Sequence, residues 1–195
     1  MWLNIFVFGI IAIIVSMTWG EGFWGNVLSF VNAIFAAMIA TNLFEPVANF
    51  LERQAAGLTY FWDFLALWFV FAFSFGIMRV ATDQFSEVLL RFKTPVELAG
   101  RAVFGLLTAW VVVCFFMFSL HTAPLARHSF GKAFGESPMA TSFYMTPDRL
   151  WLGFMQSRSE TTLSRATPVV FDPDSEFILK YGNRRYQFCK TTLRH

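Results

Sequence analysis

The stretch Thr18–Asn26, TWGEGFWGN, joins two segments that contain no Asp, Glu, Lys or Arg. Gly20 and Gly22 permit backbone angles that other residues avoid, and the carboxylate of Glu21 between them requires water or lipid headgroups. The tryptophans within the stretch carry amphipathic rings that favour the headgroup layer. The stretch therefore predicts a tight turn at a membrane surface, with a helix on each side that runs back into the bilayer. The two uncharged segments are Met1–Gly20 and Gly22–Phe44.

The composition of the whole chain also indicates a membrane protein. Of 195 residues, 56% are hydrophobic and 14% are charged, whereas soluble domains carry roughly a quarter charged residues. Two further runs, Phe64–Met78 and Ala102–Ala126, contain no charged residue. About 20 apolar residues cross a hydrocarbon core about 30 Å thick. We therefore predict an all-α integral membrane protein with four transmembrane helices, at about residues 2–19, 23–44, 60–79 and 100–120.

The ends and the orientation of these helices follow from proline and from basic residues. Pro46 is expected to end the second helix, because proline cannot continue the backbone hydrogen-bond ladder. The N-terminal region lacks the Lys or Arg of a cleavable secretion signal. Basic residues concentrate in the third connection, which predicts that this loop is cytoplasmic and that both termini lie on the outer side of the membrane. These residues are Arg79, Arg91, Lys93 and Arg101.

Residues 121–195 differ in character from the membrane domain, residues 1–120, and form a mildly basic extramembrane tail with short amphipathic helices. Thr146-Pro147-Asp148 predicts a helix start, through a capping hydroxyl, a proline in the first turn and an acid near the positive end of the dipole. Asp172-Pro173-Asp174 predicts a second start, and Gly182 a stop. On the first helix Leu150, Trp151, Phe154 and Met155 are expected to share one face. Trp151, Arg184 and Arg185 are candidate headgroup or partner contacts.

The sequence offers little catalytic chemistry. It contains no GxSxG and no GxxxxGK[ST] motif, and Gly20 and Gly22 lead into a membrane helix rather than following a strand as in dinucleotide-binding loops. Cys114 and Cys189 are too far apart in depth to pair, and two cysteines make no metal site. The three histidines, His121, His128 and His195, show no metal or triad spacing. We therefore predict no enzyme activity, no catalytic residue, no metal, no cofactor and no nucleic-acid partner.

A few polar and small residues inside the predicted spans are candidates for helix association. Asn32 and Ser29 are expected to turn away from lipid and to hydrogen-bond to other helices. Asp63 lies at the start of the third span, where it either caps the helix at the interface or marks a functional polar position. Asn32 and Asp63 are therefore the candidate polar bundle positions. The candidate helix-packing positions are Gly22, Ser29, Gly105 and Ala109.

Short apolar motifs resemble a known family. Gly22-Phe23, Leu28-Ser29, Ala36-Ala37 with Ala40, and Phe104-Gly105-Leu106-Leu107 occur in an order similar to that of the colicin V production protein (CvpA) family of bacterial inner-membrane proteins. The resemblance covers roughly residues 1–120. It implies a four-helix membrane domain and a link to toxin production, secretion and envelope maintenance.

Two functions follow as expectations. The first is a non-enzymatic inner-membrane accessory or scaffold protein. The second is a subunit of an oligomeric channel or transporter, for which a polar pathway through Asn32 and Asp63 would be needed. The expected partners are the lipid bilayer and either further copies of the chain or other envelope proteins.

Overall fold

The computed structural model describes residues 2–54, 61–86, 93–125, 146–160 and 170–192, which contain six α-helices and no strand. Arg91, His128 and His195 lie outside the described residues, as do the side chains of Arg185 and Cys189. In chain order the helices are α1 (Trp2–Thr18), α2 (Gly22–Gln54), α3 (Trp62–Phe85), α4 (Thr94–Thr122), α5 (Pro147–Glu160) and α6 (Phe177–Thr192).

The turn predicted around Glu21 is present. A single 3-10 turn, Trp19–Glu21, separates α1 from α2, and Gly22 follows it with φ +82° and ψ 172°. Thr18 and Asn26 both approach Gly105 of α4. In one straight helix, residues eight positions apart would be separated by about 12 Å along the axis. The chain therefore changes direction at this turn.

The end of α2 differs from the prediction. The helix passes through Pro46 and continues to Gln54. Proline removes one donor from the ladder, but the residues that follow, VANFLERQ, include Ala, Leu, Glu, Arg and Gln, which are strong helix formers. The local cost of the proline is therefore met by the helical preference of the next two turns.

Among the described residues, three helical stretches are long and apolar enough to cross a membrane: Leu3–Gln54, Trp62–Phe85 and Thr94–Thr122. Helix α3 ends several residues after the uncharged run that predicted it, and α4 begins several residues before its run. The charged residues that flank those runs are themselves helical. The long apolar helices indicate a multi-pass membrane protein.

The chain divides into two compact units. The first, which we call the bundle unit, comprises Ile5–Phe44 and Ala66–Val113. In it α2 runs parallel to α4, because Phe23 lies against Gly100 and Phe30 against Phe104. The side chains buried at its centre are mostly small, and the large apolar side chains face outwards, which is the pattern expected of helices surrounded by lipid. The buried alanines are Ala33, Ala36, Ala37, Ala40, Ala66 and Ala109, and the exposed residues include Phe8, Ile13, Phe69, Phe73 and Ile77.

The second unit, which we call the tail unit, comprises Met1–Asn4, Glu45–Leu65 and Cys114–His195. Helix α5 begins at Pro147, as predicted, and the carbonyl of Thr146 accepts hydrogen bonds from the N–H groups of Arg149 and Leu150. Helix α6 begins at Phe177, where Asp172 caps it by accepting from the N–H groups of Glu176 and Phe177. The tail helices therefore begin close to the positions that their capping sequences indicate.

Two details of the tail differ from the prediction. Helix α6 does not stop at Gly182 but continues to Thr192. Glycine weakens a helix by about 1 kcal/mol, which the packing of the preceding turn can outweigh. On α5, Trp151 and Met155 are buried while Leu150 and Phe154 are exposed. The buried face is thus a narrow i, i+4 stripe instead of the four-residue face expected.

Candidate functional site

A cluster of charged and polar side chains fastens the turn of the bundle unit to α3. One carboxylate oxygen of Glu21 accepts a hydrogen bond from the Ser29 hydroxyl and an ion-pair hydrogen bond from Arg79, each at 2.8 Å. Arg79 also donates to Ser29, and its Nε atom lies 3.0 Å from the carboxylate of Asp83. We call Glu21, Ser29, Arg79 and Asp83 the turn cluster. It joins the turn and the beginning of α2 to a part of α3 that lies 50 to 58 residues later in the chain.

Two further hydrogen bonds in the same unit join α2 to α3 and to Ser86, the residue that follows α3. The Asn32 side-chain amide donates to the Thr82 hydroxyl at 3.0 Å, and the Trp24 indole N–H donates to the Ser86 hydroxyl at 2.7 Å. Asn32 is only 3% exposed, so its amide is removed from lipid and water alike. Because the partner position on α3 decreases as the position on α2 increases, the two helices are antiparallel.

Glu97 of α4 caps the beginning of α2. Its Oε1 atom accepts from the backbone N–H of Phe23 at 2.9 Å and from Arg101 at 3.0 Å. The first N–H groups of a helix have no partner within the helix and carry partial positive charge, so a carboxylate at this position is stabilising. The side-chain amide of Asn26 donates to the Arg101 carbonyl at 3.2 Å one turn further on. These bonds fix α2 and α4 at one end of the bundle unit.

Glycines allow the close approach of helices at this end. A Cβ added at Gly105 would lie 3.2 Å from the Thr18 hydroxyl, and one added at Gly22 would lie 3.1 Å from Glu97. The tightest contact is at Gly100, where an added Cβ would lie 2.3 Å from a ring carbon of Phe23. Ala109 is fully buried. Gly22, Gly105 and Ala109 thus lie in helix contacts, and Gly100 is a packing residue that the sequence analysis missed.

In the tail unit, two ion pairs join α6 to the C-terminal part of α2 and to the first turn of α3. Arg184 forms an ion pair with Asp63, and the Lys180 ammonium lies 2.8 Å from the Glu45 carboxylate. The hydroxyl of Tyr181, between the two basic residues, hydrogen-bonds to Asp63. Burial, reinforced by the negative charge of Asp63 and Glu45, raises the pKa of Tyr181. Tyr181 therefore stays protonated and acts as a donor.

A third charged pair joins α5 to the end of α4. The His121 Nε2 atom lies 2.9 Å from a carboxylate oxygen of Asp148, and both side chains are largely buried. Burial alone would raise the pKa of Asp148, but the hydrogen bond and the charge of His121 outweigh it, so the pKa is lowered. The Trp151 ring lies edge-on to Phe115, with the two ring centroids 6.1 Å apart.

Two of the three predicted tail contacts, Trp151 and Arg184, are therefore engaged within the chain. Trp151 belongs to the core of the tail unit, and Arg184 holds the Asp63 carboxylate, so neither side chain points freely outwards. Sequence reasoning missed the pairs of Asp63 with Arg184 and of His121 with Asp148. The signal in the sequence was that these ionisable residues lie within or beside apolar runs, where a charge in low dielectric needs an opposite charge. That signal does not identify the partner.

No family model matches the chain, and neither a curated protein nor a solved structure shows significant similarity to it. Within the described ranges, no group of three or more His, Cys, Asp and Glu side chains could hold a metal ion. The chemistry that the geometry displays is the pairing of charges and polar groups between helices.

Proposed function

We propose that this chain is a non-enzymatic inner-membrane scaffold with four membrane spans and both termini on the outer side. The observation that carries the proposal is that both candidate polar bundle positions hold helices together. Asn32 donates to Thr82 on α3, and Asp63 pairs with Arg184 on α6. A permeation pathway needs polar groups that face water or a substrate, whereas these two side chains form their hydrogen bonds with neighbouring helices.

The length of the first apolar stretch supports four spans. Leu3–Gln54 contains 52 residues, which at 1.5 Å per residue would extend about 78 Å, more than twice the thickness of the hydrocarbon core. The break at Gly22 divides it into two helices that are each long enough for one crossing. Large apolar side chains on the outside of α1 and α3, such as Phe8 and Phe73, are placed as lipid-facing residues require.

The role in the envelope rests on the resemblance of residues 1–120 to the CvpA family. That family is associated with toxin production, secretion and envelope maintenance. A bundle whose polar groups bond to neighbouring helices suits a protein that organises other envelope components. Scaffolding is accordingly proposed as the way in which the chain contributes to envelope maintenance.

Reconstitution into liposomes separates the scaffold from a channel or transporter subunit. We expect vesicles loaded with a pH-sensitive or chloride-sensitive dye to leak no faster with the protein than without it. A pair of variants tests the polar position directly. Asn32→Ala removes the bond to α3, and Asn42→Ala is the matched control, because Asn42 donates only to the Met38 carbonyl of its own helix. Flux that Asn32→Ala abolishes and Asn42→Ala preserves would replace the scaffold by a conduit.

Complementation tests the scaffold role in cells. We expect a strain that lacks the chain to be more sensitive to detergent than its parent. The wild-type gene should return the strain to the parental resistance. Unchanged detergent sensitivity and unchanged secretion on deletion would contradict the proposed role.

The orientation has its own test. In intact spheroplasts, a Cys114→Ser chain retains only Cys189, which lies in α6. We expect a membrane-impermeant thiol reagent to label it before lysis. Labelling that appears only after lysis would place the tail in the cytoplasm.

A further inference from the structure

One face of α6 is exposed along most of the helix. Leu179, Asn183, Tyr186 and Lys190 follow one another at intervals of three or four residues and are all exposed. At this spacing they form a single stripe on the helix surface. The opposite face, with Phe177, Ile178 and Tyr181, is buried. We call the four exposed residues the α6 stripe.

The α6 stripe combines apolar, aromatic and basic groups. Leu179 and Tyr186 are each 42% exposed, which leaves a substantial apolar surface open. The Lys190 ammonium lies 4.5 Å from the centre of the Tyr186 ring. The helix as a whole contains four basic residues, Lys180, Arg184, Arg185 and Lys190, and its sequence includes no acidic residue. This combination is typical of helices that lie in the interface of an anionic membrane.

The ion pairs of α6 set its level relative to the surface of the hydrocarbon layer. Glu45 is the first charged residue after the uncharged run Gly22–Phe44, and Asp63 is the last one before the run Phe64–Met78. Both therefore mark the depth at which the chain leaves the hydrocarbon. Lys180 and Arg184, one turn apart on α6, pair with these two carboxylates.

The remaining length of α6 stays close to that level. Lys190 lies six residues beyond Arg184, which corresponds to about 9 Å along the helix. The stacking of Phe177 on Phe118, with ring centroids 4.8 Å apart, holds the other end of α6 against α4. No residue of the α6 stripe therefore lies more than about 9 Å along the helix from Lys180 or Arg184.

From these observations we infer that the α6 stripe binds the anionic headgroup layer of the bilayer in which the chain is embedded. Lys190 supplies the attraction to lipid phosphates, and Leu179 and Tyr186 insert between the headgroups. This differs from the expectation that Arg184 contacts lipid, since Arg184 is engaged with Asp63. The inference concerns a membrane contact of the tail and stands independently of the scaffold function.

The test places a nitroxide on the stripe of the full-length chain, in which Cys114→Ser and Cys189→Ser remove the native thiols and Asn183→Cys provides the label site. The chain is inserted into nanodiscs of uncharged phosphatidylcholine and into nanodiscs that also contain phosphatidylglycerol. The readout is the fraction of label protected from a water-soluble nickel relaxation agent. We expect protection to rise with phosphatidylglycerol and to be reduced at high salt, because salt screens the attraction.

Charge neutralisation identifies the residue responsible. One basic side chain near an anionic surface contributes about a fivefold change in the binding equilibrium. Lys190→Gln should therefore lower the ratio of protected to unprotected label about fivefold in anionic discs. Lys93→Gln is the matched control, because Lys93 is also exposed but precedes α4. Protection that is equal in both kinds of disc, or that Lys93→Gln reduces as much as Lys190→Gln, would overturn the inference. Equal and high protection would indicate that protein covers the stripe instead.

Discussion

Replacement of Gly100 by alanine is expected to destabilise the bundle unit. The added Cβ would lie 2.3 Å from Cδ2 and 2.6 Å from Cγ of Phe23, whereas carbon atoms in ordinary contact are about 3.5–4.0 Å apart. Phe23 cannot avoid the overlap by a rotation of its ring alone, since Cγ lies on the rotation axis. Its backbone N–H is also held by Glu97. The side chain must leave its position, or α2 and α4 must separate.

Two opposing contributions set the size of the effect. Overpacking a well-packed site costs typically 1–3 kcal/mol, and overlap with three carbons of a ring held at its backbone places this site at about 3 kcal/mol. Alanine is favoured over glycine within a helix by about 1 kcal/mol. The net destabilisation is therefore about 2 kcal/mol. For a chain of this size it corresponds to a decrease of about 4–8 °C in Tm.

The assay is thermal denaturation of the purified protein in detergent, with Cys189→Ser so that Cys114 alone reports. Cys114 is buried on α4, the helix that also carries Gly100, so a thiol-reactive fluorogenic dye labels it as α4 unfolds. Gly76→Ala is the matched control, because a Cβ at Gly76 would meet nothing within 4 Å. We expect its Tm to stay the same or to rise by a few degrees, since only the helical preference changes.

A second variant separates steric overlap from other effects. Phe23→Ala combined with Gly100→Ala should lose less stability than the sum of the two single changes, because the ring that the Cβ would meet is absent. If Gly100→Ala melts at or above the wild-type temperature, as Gly76→Ala is expected to do, the close approach of α2 and α4 at this position is refuted.

Three other substitutions test separate parts of the structure. Gly22→Ala should lower stability by about 1–3 kcal/mol in the same melting assay, because φ +82° with ψ 172° is a conformation that essentially only glycine adopts. Gly20→Ala should have little effect, because the space around its added Cβ is open. Equal losses of stability in the two variants would contradict this account. Tyr181→Phe should lower stability by about 1 kcal/mol through loss of the hydrogen bond to Asp63, and Tyr186→Phe on the exposed face of α6 should change it by much less. Because the pKa of Asp148 is lowered in the folded state, its contribution is complete above the unfolded value of about 3.9 and is lost as the pH falls through the lower folded value. In limited proteolysis, the wild-type tail should therefore be cleaved more readily as the pH falls below about 4. The tail of Asp148→Asn should be cleaved more readily than the wild type already at about pH 7 and should lose this dependence on acid. Identical pH profiles of the two proteins would refute the role of the pair between His121 and Asp148.

The sequence predicted those features that solvent and local chemistry dictate. Uncharged runs identified the apolar helices, since charged groups are costly in hydrocarbon, and Thr146-Pro147-Asp148 identified the start of α5. Pro46 misled the prediction, because a missing donor is a local cost that the surrounding helix can bear.

The partners of the ionisable residues could not be predicted in the same way. Glu21 pairs with Arg79, and His121 with Asp148, across separations of 58 and 27 residues. Any of the basic residues in the chain would have satisfied the same electrostatic requirement. Gly100 was missed for a related reason, since its importance comes from the position of the Phe23 ring and not from its own neighbours in sequence.

The cap that Glu97 provides for α2 has a consequence for biogenesis. The N–H of Phe23 bonds to a carboxylate that lies 74 residues later in the chain. As the ribosome releases the polypeptide, the first turn of α2 enters the membrane before the carboxylate that accepts from this N–H has been synthesised. Chains truncated after α3 would therefore contain α1, α2 and α3, with the first turn of α2 still without its cap. Synthesis of α4 is the step that completes a helix begun much earlier.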